Sequence, residues 1–337
     1  MQIPQFWAEH RLEGKIEPTR SGGRKRVRVV RRFGWSDESQ AQAEVHARER
    51  AEAAFAELRA GRSVSQRERK LAYGDEGLPI REEVLARNGD DVITRNSYGA
   101  RCLNEPDVLF ADLDIQPQLP FGIGSTLGAV GCFLPVVGLL AGVSLMWNGE
   151  LRIGLAALAG GFVVGIVLLA ALGRLNRSTP VIAATQVRVR RRVAQVLERR
   201  RDWRFALYET PAGFRLLALH ATFDPRSEEV QALFRELGTD PAYAQMCALQ
   251  ACFRARVSAK PWRIDLDRLP TRAVWPVPAD RLPERTAWIA RYELLAQNHA
   301  ACRYLEDLGT APVAARCAHV QQMHDELCKA RTELPLA

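Results

Sequence analysis

Two long apolar runs without a charged residue constrain this 337-residue chain more than any other feature. The first extends from Phe121 to Trp147 and the second from Ile153 to Gly173, and the short segment 148–152 connects them. About 20 apolar residues suffice to cross a bilayer as a helix. The sequence therefore predicts a two-helix transmembrane hairpin at 119–173. A buried helical hairpin of a soluble protein is the alternative, although adjacent uncharged runs of this length are rare in such cores.

The arginines near the second run predict how this hairpin is oriented, because cytoplasmic flanks are enriched in Arg and Lys. Arg174, Arg177 and Arg188 follow that run, whereas Arg152 is the only basic residue in the connection. The interpretation is a two-pass protein of a bacterial-type inner membrane, with the lipid bilayer as a partner and both termini in the cytoplasm. A basic helix predicted from Val181 to Arg201 would attract anionic lipid headgroups.

Composition fits a cytoplasmic setting for the rest of the chain. The net charge of +8 comes mainly from arginine, which suits contacts with phosphates as well as lipid headgroups. The seven cysteines form no CxxC pair, which favours reduced thiols in the cytosol. The first residues lack the apolar core of a signal peptide, so insertion is expected to depend on the internal runs.

Outside the hairpin, the pattern predicts an α+β cytoplasmic domain built from both arms. A basic strand at 24–34 precedes an amphipathic helix. The arginines of this strand either bind nucleic acid or anionic lipid, or they simply form a face that is exposed to solvent. The C-terminal part is predicted to be an antiparallel helical pair, Thr286–Leu308 and Ala311–Leu334. The predicted divisions are a strand and helix at 1–65, the first part of the α/β domain at 66–118, the hairpin at 119–173, the second part with the basic helix at 174–273, and a linker with the helical pair at 274–337.

The strongest chemical signal is an apolar strand that ends in two carboxylates. Asp112 and Asp114 follow Leu109-Phe110-Ala111, and the strand period of two places both on one face. Carboxylate oxygens are ligands for Mg²⁺ or Mn²⁺, ions that neutralise phosphates during phosphoryl transfer. Such a motif occurs in nucleotidyltransferases, sugar transferases and phosphatases of the haloacid dehalogenase type, and also where a strand simply meets a loop.

Two later segments add side chains that suit phosphate chemistry. The stretch 208–220 reads as a strand, a glycine turn and a strand, and 240–263 reads as an acidic residue, a helix and a basic strand. The candidate phosphate-facing or nucleic-acid-facing groups in these segments are Arg215, His220, Arg254, Arg256 and Lys260.

This order of motifs resembles the catalytic core of archaeo-eukaryotic primases and primase-polymerases. That core has a hydrophobic DxD or DxE strand, a turn and strand with a histidine, a later aspartate and then a basic stretch. The resemblance implies that Asp112, Asp114 and Asp240 are catalytic and ligate Mg²⁺ or Mn²⁺, and that the basic groups hold a nucleoside triphosphate or nucleic acid. It covers residues 90–265, and departs from the family where Arg215 lies near the expected histidine and where the hairpin interrupts the core.

The leading functional prediction is an inner-membrane protein with a primase-like, metal-dependent domain that handles nucleotides or nucleic acids. One alternative is a non-enzymatic, membrane-anchored protein that binds a partner or nucleic acid, and another is a DxD metal-dependent sugar transferase. Cys317, His319, His324 and Cys328 also lie along one predicted helix. His324 and Cys328, one turn apart, could share a metal ion, but the interpretation is buried helical packing and not a zinc site.

Overall fold

The computed structural model describes residues 1–16, 26–66, 68, 78–114, several single positions between 153 and 167, and 179–337. Met1–Leu113 and Arg192–Ala337 form one compact unit, and Asp114–Arg191 form a second. The described residues contain helices and three β-sheets, which confirms the α+β class.

The N-terminal layer is a β-hairpin with a helix packed on it. Strands β1 (Phe6–Ile16) and β2 (Arg26–Ser36) pair antiparallel. Helix α1 (Gln40–Arg59) begins where the Ser39 hydroxyl accepts a hydrogen bond from the backbone N–H of Gln42, and it buries a row of alanines. Alanine presents little bulk, so the helix can lie close to the hairpin.

Gly34 in β2 marks the closest approach between this hairpin and α1. A Cβ there would overlap the backbone of Ala43 and Ala47 on α1. We expect Gly34→Ala to lower the free energy of unfolding by about 1–3 kcal/mol, because α1 must shift to admit the methyl group. Denaturant titration measures the change. Gly160→Ala is the control, since a Cβ at Gly160 would meet nothing within 4 Å, and an equal loss in both variants would contradict the explanation.

Two four-stranded sheets form the centre of the first unit, and each combines strands from both chain segments. The first has the order β3-β4-β5-β9, with β3 Glu83–Asn88, β4 Asp91–Arg95, β5 Arg101–Glu105 and β9 Phe253–Arg256. The second has the order β10-β7-β8-β6, with β10 Arg303–Gly309, β7 Arg204–Thr210, β8 Gly213–Ala218 and β6 Phe110–Asp114. Pairing of β5 with β9 and of β8 with β6 joins the segments before and after the apolar runs.

Further α-helices among the described residues are α2 Thr179–Arg199, α3 Glu228–Leu237, α4 Pro241–Gln250, α5 Leu282–Ala296 and α6 Ala315–Cys328. The predicted C-terminal helical pair is wrong over part of its length. Its first helix ends at Ala296, and 303–309 is strand β10, paired antiparallel with β7. Leu and Glu in this segment favour a helix locally, but pairing along β7 overrides that preference.

No helix among the described residues is long and apolar enough to span a membrane. This finding contradicts the predicted transmembrane hairpin and, with it, the two-pass inner-membrane localisation. The two runs at 121–147 and 153–173 lie mainly outside the described residues; the described apolar positions of the second, such as Ile153 and Val167, are helical and exposed. An uncharged run predicts a membrane span only when it folds as one long apolar helix, and the described residues contain no such helix. The predicted lipid contact of the basic helix, observed as α2, depended on that span.

Candidate metal centre

Two of the three predicted catalytic aspartates are neighbours through their backbones, and the carboxylate of each is already hydrogen bonded. The carboxylate of Asp112 on β6 accepts hydrogen bonds from Nε and Nη2 of Arg215 at 2.7 and 3.1 Å. The backbone N–H of Asp240 donates to the carbonyl oxygen of Asp112 at 3.2 Å. Its carboxylate caps α4 by accepting from the N–H of Ala242 at 3.0 Å. Asp114 is exposed at the end of β6 and belongs to the second unit, and its predicted role stays a prediction.

Two of the predicted phosphate-binding arginines are compensated by carboxylates inside the protein. Arg215 on β8 is only 3% exposed. Burial alone would lower the pKa of Arg215, but the charge and hydrogen bonds of Asp112 outweigh it and raise that pKa. Arg254 on β9 donates to Glu82 in the same way, and the net effect also raises its pKa. Arg215 links β8 to β6, Arg254 links β9 to the residue before β3, and both guanidiniums are occupied by internal partners.

The other predicted phosphate-binding groups have different surroundings. Arg256 donates to the backbone oxygens of Ser258 and Ala337. The ring of His220 stacks on Trp203 with centroids 4.5 Å apart, and burial lowers the pKa of this histidine. Lys260 lies 5.6 Å from the centre of the Trp262 ring. His220 is therefore part of an aromatic cluster, which a sequence pattern of strand and turn does not reveal.

A different set of side chains converges next to Arg215. Cys302 precedes β10, while His324 and Cys328 lie one turn apart on α6. One donor atom from each lies within 4.8 Å of the other two, and the Cys302 Sγ is 3.8 Å from the His324 Nε2. All three are at most 1% exposed. Among the described residues, this is the group with the composition and spacing to hold a metal ion.

Asp325 orients the imidazole of His324. Its Oδ1 lies 3.4 Å from the His324 Nδ1 and accepts a hydrogen bond from the Tyr208 hydroxyl at 2.7 Å, while its Oδ2 accepts from Arg331 Nε at 2.8 Å. A carboxylate beside Nδ1 favours the tautomer that carries its proton there. The Nε2 lone pair is then available on the side of Cys302, in the arrangement typical of metal-bound histidine.

Two features of the surroundings oppose an incoming ion. Nη1 of Arg215 lies 3.3 Å from the His324 Nε2, so this guanidinium competes for the lone pair. Burial, together with the neighbouring Cys328, raises the pKa of the Cys302 thiol well above its ordinary value. Metal binding must therefore displace the Arg215 contact and release thiol protons. Without an ion, the same groups form a packed thiol and imidazole core.

Comparison with known proteins gives no family to which this chain can be assigned. No family model, curated protein or solved structure matches it. The resemblance to primases therefore rests on the short motifs alone. The predicted function, a primase-like nucleotide-handling domain on a membrane protein, is contradicted by the lack of a spanning helix among the described residues. In this structure the carboxylate of Asp112 is hydrogen bonded to Arg215, and its predicted catalytic role stays a prediction.

The predicted metal is supported only in part, because a cluster that can hold an ion exists but has sulfur and nitrogen donors. The spacing of His324 and Cys328 carried the signal in the sequence. The third donor did not stand out, since Cys302 was placed inside a predicted helix. Cys317 and His319 face elsewhere: the Cys317 thiol donates to the carbonyl oxygen of Ala221, and His319 contacts Asn88.

Proposed function

We propose that the protein binds a thiophilic transition-metal ion, Zn²⁺, through Cys302, His324 and Cys328. The observation that carries the proposal is the convergence of these three buried donors within 4.8 Å of one another. Thiolate and imidazole donors suit Zn²⁺. Mg²⁺ and Mn²⁺ prefer oxygen ligands, and the cluster offers none.

Burial supports a structural role for the ion. The three side chains are screened from solvent, so a substrate has no direct approach to them through the described residues. An ion at this point would join the start of β10 to α6, two elements that are separate in the sequence. Zn²⁺ in structural sites usually has four ligands, and this cluster would supply three of them. Because the site forms only in the folded chain, metal binding adds to folding stability.

Cobalt substitution tests this proposal directly. The full chain is kept under a phosphine reductant, stripped with a chelator and titrated with Co²⁺, whose thiolate charge-transfer absorption reports sulfur ligation. We expect wild type to bind one ion, with Zn²⁺ displacing Co²⁺ and with Mg²⁺ having no effect. Loss of a second-shell partner alone weakens metal binding about 10–100-fold. Cys302→Ser and Cys328→Ser, which remove ligands, should therefore weaken it by more than about 100-fold.

Cys252→Ser is the matched control, because Cys252 is equally buried but lies outside the cluster. This variant should keep the wild-type cobalt spectrum. A reduced wild-type protein that shows no thiolate-to-cobalt absorption would overturn the proposal. So would unchanged affinity in both ligand variants.

A further inference from the structure

A cleft of about 690 Å³ in the first unit is distinct from the cysteine and histidine cluster. Its walls come from β1 and β2, the loop at Ser97 and Tyr98, and the segment 268–281. The backbone N–H of Leu269 donates to the carbonyl oxygen of Tyr98, which ties two of these walls together. The cleft is large enough for a small molecule.

Positive charge predominates in the lining. The charged lining residues are five arginines and two carboxylates, namely Arg31, Arg81, Arg268, Arg272, Arg281, Glu9 and Asp280. Both carboxylates have partners among these arginines, since Glu9 pairs with Arg31 at 3.0 Å and Asp280 with Arg281 at 3.5 Å. Among the described residues, no carboxylate forms an ion pair with Arg81, Arg268 or Arg272. The cleft therefore has an excess of cationic charge.

Aromatic rings hold two of these three guanidiniums in place without neutralising them. Arg81 lies 3.6 Å from the centre of the Phe33 ring, and Arg268 lies 4.5 Å from that of Trp262. Such contacts orient an arginine but leave its N–H donors available for an anion. Burial lowers the pKa of Arg81, and the nearby carboxylates of Glu68 and Glu9 offset only part of this shift.

Aromatic side chains complete the lining of the cleft. Phe33, Tyr98 and Trp275 lie among the arginines. An organic phosphate in the cleft would therefore meet apolar surface as well as positive charge.

We propose that this cleft binds a small phosphate-bearing polyanion. Guanidinium groups match phosphate oxygens in geometry and in charge, and two or three of them on one cleft favour a ligand with more than one negative charge. The phosphate belongs either to an inorganic ion or to an organic phosphate whose apolar part contacts the aromatic lining. The proposal does not depend on metal binding at Cys302, His324 and Cys328.

Isothermal titration calorimetry of the full chain with inorganic pyrophosphate tests the proposal. We expect saturable binding that weakens with added salt. Arg268 and Arg272 are exposed, so their replacement should not disturb folding. The double variant Arg268→Gln with Arg272→Gln should bind pyrophosphate at least about tenfold more weakly, since each lost charge-assisted hydrogen bond removes a sizeable part of the attraction.

The matched control is Arg199→Gln with Arg235→Gln, which removes the same charge from exposed positions that do not line the cleft. It should bind pyrophosphate as wild type does. Comparing phenyl phosphate with inorganic phosphate separates the two sources: tighter binding of phenyl phosphate indicates an organic phosphate, and equal binding an inorganic one. Failure of wild type to bind pyrophosphate and phenyl phosphate, or an equal loss in the control variant, would overturn the proposal.

Discussion

Replacing Asp112 with asparagine is expected to lower the free energy of unfolding by about 3–5 kcal/mol, the usual cost of leaving a buried charge without its partner. Arg215 is only 3% exposed, and Asp112 accepts two of its hydrogen bonds. Asparagine retains one acceptor oxygen and places an amide donor against the guanidinium. Guanidinium chloride titration, followed by circular dichroism, measures the change.

Two further variants test whether the loss arises from the uncompensated charge of Arg215 or whether any substitution in this region destabilises the protein. Asp240→Asn should be nearly neutral, because asparagine caps a helix about as well as aspartate does. Combining Asp112→Asn with Arg215→Met should recover part of the loss, since the uncompensated charge is then absent. A loss below about 1 kcal/mol for Asp112→Asn would show that Arg215 does not depend on this carboxylate.

Sequence patterns predicted the parts of the fold that are determined by neighbouring residues, such as strands and tight turns. The alternation of arginine and valine at 24–34 indicated β2, and the glycine turn between 208 and 220 indicated the β7 and β8 hairpin. Turn chemistry and strand period act over a few residues, so a sequence displays them. Strand β10 depends on the edge of β7, almost a hundred positions away, and its own residues favour a helix.

The candidate metal site was harder to predict from the sequence, because its residues are also brought together by contacts between distant segments. Asp112 and Arg215 are 103 positions apart, so the ion pair that occupies this carboxylate is invisible to motif spacing. His324 and Cys328 are one helical turn apart and could share an ion, but the sequence alone favoured helical packing over a zinc site for them. Cys302 joins them only because β10 pairs with β7 and brings the start of that strand beneath α6. Convergence of this kind arises from tertiary structure, and one sequence does not encode it as a local pattern.

A second large effect is expected from the acidic cluster around Arg316. Glu105 at the end of β5 is 0% exposed, and Asp91 is 1% exposed. The guanidinium of Arg316 contacts both carboxylates and also Asp107, with Nη2 2.8 Å from Glu105 and Nε 3.1 Å from Asp107. Glu105 and Asp91 are both buried, and they share the single cation of Arg316 with the more exposed Asp107. Burial, followed by the proximity of Asp91, raises the pKa of Glu105 to about 9.

This shift makes stability depend on pH in a defined direction. Glu105 holds a proton in the folded protein up to about pH 9, whereas in the unfolded chain it loses the proton near its ordinary value of 4.5. Unfolding between pH 4.5 and about pH 9 therefore releases a proton. The stabilisation contributed by Glu105 is complete below pH 4.5 and is lost as the pH rises through about 9. The slope reaches about 1.4 kcal/mol per pH unit. Denaturant unfolding should show a loss of about 2–3 kcal/mol from pH ~6 to pH ~8 from this group alone.

Glu105→Gln isolates this contribution from the other groups that titrate in the same range. Glutamine resembles the protonated acid in size and keeps an oxygen that can accept from Arg316, so the variant should fold with about the wild-type stability at the acidic end. The glutamine side chain does not ionise in this pH range. Its stability should therefore decline less than that of wild type as the pH rises, and the variant should become the more stable protein toward pH ~8. Parallel stability profiles for the two proteins would show that Glu105 is already ionised in the folded state and that Arg316 compensates its charge.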